Sequence, residues 1–339
     1  GPRAAETSLL GQFKLHNSEN WVALENKHIK VGVDLRRGGS ITYISPAGED
    51  TNILANPIAY PLQLHMTSGP TGFDTPDGRC SVGGAKEGPY EVVQSGNEHG
   101  DQPALLWHEL EEQDWAPVGR ELRSSVGALV WACDNVAAPF TLNQTVTLED
   151  DAPVVWVTQR LVNNDKMDIS YGPFKQKVPE MFPGADFNSF WTYSGTAPFT
   201  SAPAQEYQMD FTEQRGPGDV HSPEHWAAMT NETLYGLGIY HPDVYNFNAD
   251  IKTGGVFGAH PKAGYMAALK GMDFRNKAAV ELKYALMVGT VDQIRTFAYE
   301  QQRRRLTVTP RSRLFPENVA RIKRDVAERK NPELRTQQL

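Results

Sequence analysis

His28-Ile29-Lys30-Val31-Gly32-Val33-Asp34-Leu35-Arg36-Arg37-Gly38-Gly39-Ser40-Ile41-Thr42-Tyr43-Ile44 is the stretch whose reading decides the fold. Apolar side chains alternate at Ile29, Val31, Val33 and Leu35, a Gly-Gly step follows, and a second alternating run carries Ile41 and Tyr43. Alternation sends successive side chains to opposite faces of an extended chain, and paired glycines reach the positive φ that a tight reversal needs. The stretch predicts a β-hairpin opening a large antiparallel sheet.

The same texture continues downstream. Candidate strands are Trp21–Leu24, Leu62–Met66, Tyr90–Gln94, Ala104–Glu111, Glu121–Trp131, Phe140–Glu149, Val154–Asn163, Phe187–Tyr193, Ala227–Met229, Tyr235–Tyr240, Val256–Phe257, Tyr265–Leu269 and Glu281–Val288. Turn residues separate several of them: Asp150-Asp151, Asn163-Asn164-Asp165 and Gly254-Gly255. Many strands without interleaved helices define an all-β sandwich or barrel, and there are too many here for a single immunoglobulin-like sheet pair. Residues 20–310 read as one β domain, after an N-terminal extension (1–19) whose Gly1-Pro2 looks like a cleavage scar or a trimmed mature end. Helical spacing appears at Val291–Arg304 and Pro316–Arg329, so 311–339 is expected to hold a C-terminal helix and tail. Residues 67–89 and 194–225, rich in Gly and Pro, read as long loops of the kind that line binding clefts.

Composition narrows the function. The chain has 339 residues, 33 basic and 41 acidic, for a net charge of −8, which argues against nucleic acid and anionic membranes as main partners. The basic run from Arg303 to Arg313 reads as a solvated surface. No apolar run reaches membrane-spanning length. Cys80 and Cys133 can form one disulfide, but neither a disulfide framework nor a four-thiolate metal site. Phosphate-loop, dinucleotide and nucleophile-elbow patterns are absent, so no cofactor and no metal is expected. Asn143-Gln144-Thr145 and Asn231-Glu232-Thr233 are acceptors for N-glycosylation if the protein is secreted by a eukaryote.

Several segments together resemble the galactose-mutarotase-like carbohydrate-active superfamily. They are the opening hairpin, Asn52-Ile53-Leu54-Ala55-Asn56, and the strand Val154–Leu161 running into Val162-Asn163-Asn164-Asp165. Ser68-Gly69-Pro70, Gln94-Ser95-Gly96, Glu224-His225-Trp226-Ala227-Ala228 and Gly236-Leu237-Gly238-Ile239-Tyr240 resemble, in the same order, the motifs of a mostly uncharacterised secreted group within it. The resemblance covers roughly residues 28–300. It implies a large antiparallel β-supersandwich with C-terminal helices, a poly- or oligosaccharide partner, and a secreted, extracellular or periplasmic setting. The chain departs from the group at Ala59-Tyr60-Pro61, where a Gly-Arg pair is usual, and at Lys177, where an acid is usual. The paired histidines and late glutamate of aldose epimerases are not cleanly present.

A sugar site needs aromatic platforms, amide and acid hydrogen-bonders and, if bonds break, an acid–base pair. Glu98, Glu180 and Glu224 are the candidate catalytic carboxylates, with His99 beside Glu98 as a proton-exchanging partner. His65, Gln94, Trp107, Tyr171, Lys177, Trp226 and His241 are the candidate substrate-binding residues. His221-Ser222-Pro223-Glu224-His225 matches a His-x-x-Glu-His zinc pattern, but Pro223 denies it the helix that the chemistry requires. The leading expectation is a secreted glycoside hydrolase using two carboxylates. The alternatives are a polysaccharide lyase acting by β-elimination on a uronate glycan, a non-catalytic glycan-binding protein and a sugar epimerase.

Overall fold

The computed structural model describes residues 6–10, 13–17, 21–55, 62–67, 91–93, 115–118, 120–130, 136–164, 174–252, 263–272 and 279–308. Two compact units divide the chain, Gly1–Arg295 and Thr296–Leu339. The first holds all the strands among the described residues: β1 (Glu6–Leu10), β2 (Phe13–Asn17), β3 (Trp21–Glu25), β4 (Ile29–Asp34), β5 (Ser40–Pro46), β6 (Gln63–Thr67), β7 (Glu91–Val93), β8 (Trp115–Val118), β9 (Glu121–Val130) and β10 (Val136–Leu148) come first. Then follow β11 (Val154–Asn163), β12 (Phe174–Met181), β13 (Ser189–Thr192), β14 (Gln205–Gln208), β15 (Gly218–His221), β16 (Trp226–Thr230), β17 (Tyr235–Tyr240), β18 (Asn246–Lys252), β19 (Ala263–Met272) and β20 (Ala279–Thr290). Helix α1 is Val291–Val308, and its residues from Thr296 on are the described part of the second unit. Among the described residues no helix is long and apolar enough to cross a membrane.

The hairpin forms as the sequence predicts. β4 pairs antiparallel with β5, and Gly38 and Gly39 both take positive φ, 60° and 69°. A short 3-10 turn at Leu35–Arg37 precedes them, closed by the Gly39 N–H donating to the Asp34 carbonyl at 3.1 Å. Its sheet is not the large one, however. β1–β5 form a separate five-stranded sheet in simple chain order, in which residues 6–17, placed by sequence in an extension, pair onto β3. The large sheet has fifteen strands and runs β14-β13-β16-β17-β20-β11-β10-β9-β7-β6-β12-β19-β18-β15, with β8 on the side of β9.

One continuous apolar core takes Val31, Val33, Ile41 and Ile44 from the small sheet and Leu142, Val146, Val155, Val157, Leu282 and Leu286 from the large one. Each such side chain removed from water contributes about 1.5–3 kcal/mol, so the shared core is what holds the two sheets together. A buried polar link adds direction: the Gln144 amide on β10 donates to the Gly39 carbonyl at 2.7 Å and accepts from Gln159 at 2.9 Å.

The architecture is therefore all-β and antiparallel with a C-terminal helix, as expected. Three local differences matter for function. The Pro-bounded stretch Phe174–Met181 is strand β12, the Gly/Pro-rich 194–225 carries β14 and β15, and Asn246–Lys252 is a full strand. The candidate strands Ala104–Glu111 and Val256–Phe257, the second helix and both cysteines lie outside the described residues.

Candidate functional site

Five neighbouring strands of the large sheet, β6-β12-β19-β18-β15, place polar residues in two adjacent rows. In the first, His65 pairs with Lys177, Lys177 with Leu269, Leu269 with Asn246, and Asn246 with His221. In the second, the partners are Gln63, Glu180, Ala267, Asn248 and Asp219. Residues paired across a sheet share a face, so Lys177, Glu180, Asn246, Asn248, Asp219 and His221 stand together. On the opposite face Val178, Met266, Ala268, Phe247, Ala249 and Val220 enter the main core.

A bulge makes this arrangement possible. The register of β12 shifts between Lys177 and Glu180 against both neighbours. One extra residue in a strand moves everything after it to the other face. Without it Glu180 would point into the apolar core; with it Glu180 shares the face of Lys177. Pro179 sits in the bulge, where the ladder asks for no N–H.

The side chains on this face are linked. Lys177 Nζ lies 2.6 Å from Glu180 Oε1, and 4.7 Å from the centroid of the Tyr265 ring. The Tyr265 hydroxyl bonds to Asn248 Oδ1, whose amide donates to Asp219 Oδ1 at 2.7 Å. Lys175 Nζ reaches Asp219 Oδ2 at 2.8 Å. Burial pushes the Asp219 carboxyl up, but the hydrogen bonds from Lys175 and Asn248 outweigh it and hold the group below the usual carboxylate range. Phe182, Tyr265, Ala267 and Leu269 form a small apolar cluster in the middle of the face. Glu180 is buried beside it, whereas Lys175, Asp219, His221 and Gly271 are exposed. A Cβ built on Gly271 meets nothing within 4 Å.

Of the eleven residues singled out by sequence, this face brings together Lys177 and Glu180, with His65 at the paired position on β6. Gln94, Glu98, His99, Trp107 and Tyr171 lie outside the described residues; the chain enters the segment holding the first four right after Val93, the partner of His65 on β7. Trp226, Glu224 and His241 are elsewhere and buried.

Glu224 is not placed as a proton donor to a ligand. Its two oxygens accept from the Arg295 guanidinium at 2.9 Å each, from the Trp226 indole N–H at 2.8 Å and from the Phe199 backbone N–H at 2.8 Å. Four donors occupy the carboxylate's lone-pair directions, and none of its surface is exposed. Trp226, equally buried on β16, serves as one of those donors instead of as a sugar platform. Helix α1 delivers Arg295 through a capping box, in which Thr290 Oγ1 accepts from the Gln293 N–H and Gln293 Oε1 from the Thr290 N–H. Gly238 on β17 leaves room for Ile294 in that first turn: a Cβ there would lie 2.5 Å from Ile294 Cγ2.

The His-Ser-Pro-Glu-His segment is a strand end followed by a turn, so its histidines do not share a helix face. Among the described residues no cluster of His, Cys, Asp or Glu is arranged to hold a metal ion. His241 is fully buried next to Tyr284, ring centroids 6.0 Å apart, and burial, reinforced by Lys270, lowers its pKa to about 3. An imidazole held neutral and enclosed in this way does not meet a ligand at the surface.

Sequence reasoning missed Asn246, Asn248, Asp219 and Tyr265 as site residues, and met His221 only within the rejected zinc pattern. A signal existed for two of them: Asn246-Phe247-Asn248-Ala249-Asp250-Ile251 alternates polar and apolar residues strictly.

No family model matches the chain, and no curated protein does. Solved structures do. One, provisionally described as an aldose 1-epimerase, from Klebsiella pneumoniae, has a TM-score of 0.47 at 9% identity, with 88% of each chain covered. A second of the same description, from Escherichia coli, has 0.45 at 12%, covering 79% of this chain and 98% of the other. A galactose mutarotase-like protein from Lactobacillus casei has 0.44 at 10%, covering 79% and 99%. These are proteins of the kind that the opening hairpin and the later segments resemble.

Proposed function

We propose that this is a carbohydrate-active protein that takes a neutral poly- or oligosaccharide on the polar face of β12, β19, β18 and β15. The observation that carries the reading is the pair of rows just described. Sugars present hydroxyls around weakly apolar rings, and this face carries the exposed Lys175, Asp219 and His221 and the half-buried Lys177, Asn246 and Asn248 over a buried floor of Tyr265, Ala267 and Leu269. Its charges are balanced within the face. Lys175 is paired with Asp219 and Lys177 with Glu180, which leaves neither lysine uncommitted for the carboxylates of a polyuronate. That favours hydroxyl recognition over a lyase's charge neutralisation.

Within this reading the reaction is glycoside hydrolysis. Glu180, which shares the face with the carboxylate of Asp219, is positioned by Lys177 to act as base or nucleophile, and Glu98 with His99 supplies the acid from the segment that follows β7. A secreted or periplasmic setting, where extracellular glycans are met, belongs to the same proposal.

Incubation with neutral and uronate-containing glycans, following both reducing ends and the ultraviolet absorbance of unsaturated uronates, tests it. New reducing ends from neutral glycans without absorbance are expected. Absorbance accompanying new ends overturns the hydrolase. Retention of glycan without new ends reduces the function to binding.

A further inference from the structure

Phe199 and His225 both hold left-handed backbone conformations, with φ of 60° and 63°. For bulky residues this conformation costs about 1–3 kcal/mol and persists only where surroundings impose it. Both are imposed by the same turn. Glu224 takes the Phe199 N–H, while His225 donates from Nδ1 to the Val244 carbonyl at 2.9 Å and its own carbonyl accepts the His241 N–H at 2.9 Å. The Ser222 N–H closes the arrangement on the Tyr245 carbonyl at 2.7 Å.

The consequence is a continuous run of rings. Phe199 and His225 have centroids 6.5 Å apart, His225 and Tyr245 4.3 Å, and Tyr245 and His221 6.3 Å with planes only 15° apart. The run passes from the half-buried Phe199 through the buried His225 to the surface, where Tyr245 is 51% exposed and His221 exposed. An exposed tyrosine stacked on an exposed histidine, with the backbone beneath it held in a costly conformation, is an expensive way to decorate a surface. It lies where the first polar row ends, since His221 is the β15 member of the row that contains Lys177.

We propose that His221 and Tyr245 form an outer subsite that holds a further sugar ring of a neutral glycan chain. The proposal rests on the carbohydrate reading of the polar face and adds the length of the ligand. Three inter-strand steps separate β12 from β15, roughly 14 Å at the usual spacing, which is several pyranose units and not one. The C–H face of a pyranose packs on the Tyr245 ring. The Tyr245 hydroxyl and the Asn246 amide, 3.4 Å from His221 Nδ1 through its oxygen, offer partners to the hydroxyls around it.

The test uses the full chain and matched series of neutral oligosaccharides, cello- and galacto-oligosaccharides of two to six units, with dissociation constants measured by calorimetry for the wild type, Tyr245→Ala, Tyr245→Phe and His221→Ala. Affinity is expected to rise with chain length in the wild type. Tyr245→Ala is expected to lower the ratio of hexasaccharide to disaccharide affinity about tenfold, His221→Ala to lower it less, and Tyr245→Phe to keep it within about threefold. A length gain that survives Tyr245→Ala overturns the outer subsite and leaves the carbohydrate reading standing, as does wild-type binding that is independent of length. A wild type that binds neither series at any length overturns the carbohydrate reading, and the subsite with it. Thermal unfolding of each variant identifies any loss of binding that is a loss of fold.

Discussion

Lys177 Nζ and Glu180 Oε1 lie 2.6 Å apart across the bulge in β12, and the carboxylate is only 4% exposed. A buried carboxylate depends on its partner: removing one member of such a pair costs about 3–5 kcal/mol because the other is left uncompensated. Lys177→Met is therefore expected to lower unfolding stability by roughly that amount, and Glu180→Gln by less, because Lys177 reaches solvent. Urea unfolding of the two variants checks the order. On the proposed chemistry Glu180→Gln also lowers the rate of reducing-end release by at least about 100-fold; full activity in that variant removes Glu180 from the mechanism.

Glu224 and Arg295 make the other buried pair, and their role is to fix a turn. Arg295→Met is expected to cost about 3–5 kcal/mol. The double variant Glu224→Leu/Arg295→Met is expected to be less damaged than the sum of the singles by about 2 kcal/mol or more. A double-mutant cycle in urea measures that coupling. Additive losses contradict a direct pair. Because Phe199 and His225 take their backbone conformation from this turn, the single variants are also expected to disturb the Tyr245 surface.

His241 makes stability depend on pH. Burial, with Lys270 opposing and Asp243 favouring protonation, holds the imidazole neutral down to about pH 3, against 6.5 for a free histidine. Between those values the unfolded chain binds the proton and the folded one does not. The stability present above pH 6.5 is thus lost progressively as pH falls towards 3. From pH 6.5 to about 5 the loss is about 2 kcal/mol for this one group. His241→Gln is expected to flatten the profile over that interval. Equal slopes for the variant and the wild type assign the dependence to other groups.

The fold was legible where alternation was clean. Ile29 to Ile44 announced a hairpin, and Val154–Asn163 and Glu281–Val288 announced strands, because a half-buried strand writes its pleat into the sequence. Assignment of the hairpin to the small sheet was not legible, since pairing partners far along the chain leave no local mark. Phe174–Met181 is not among the candidate strands because Pro179 breaks a strand everywhere except at an edge or a bulge, and the bulge is a property of the register. The same bulge decides which way Glu180 faces, so its place beside Lys177 emerged only from the structure. Glu224 read as a free acid because its partner Arg295 is 71 residues away. Asn246 to Ile251 is legible by its strict polar–apolar alternation.

The central claim is that a neutral glycan lies along the open strip of this face, and Gly271 gives the most direct access to it. Gly271 is exposed, shares its face with its β12 partner Lys175, and has nothing within 4 Å of where a Cβ would stand. Gly271→Phe is therefore expected to fold with an unchanged melting temperature while placing a ring in the path of the glycan. Electrophoresis in gels containing neutral polysaccharide, comparing this variant with the wild type, is the decisive measurement. The account predicts that the wild type is retarded and that Gly271→Phe, equally folded, migrates as it does in plain gel. Equal retardation of the two proteins, or none of the wild type in any neutral polysaccharide, would contradict it.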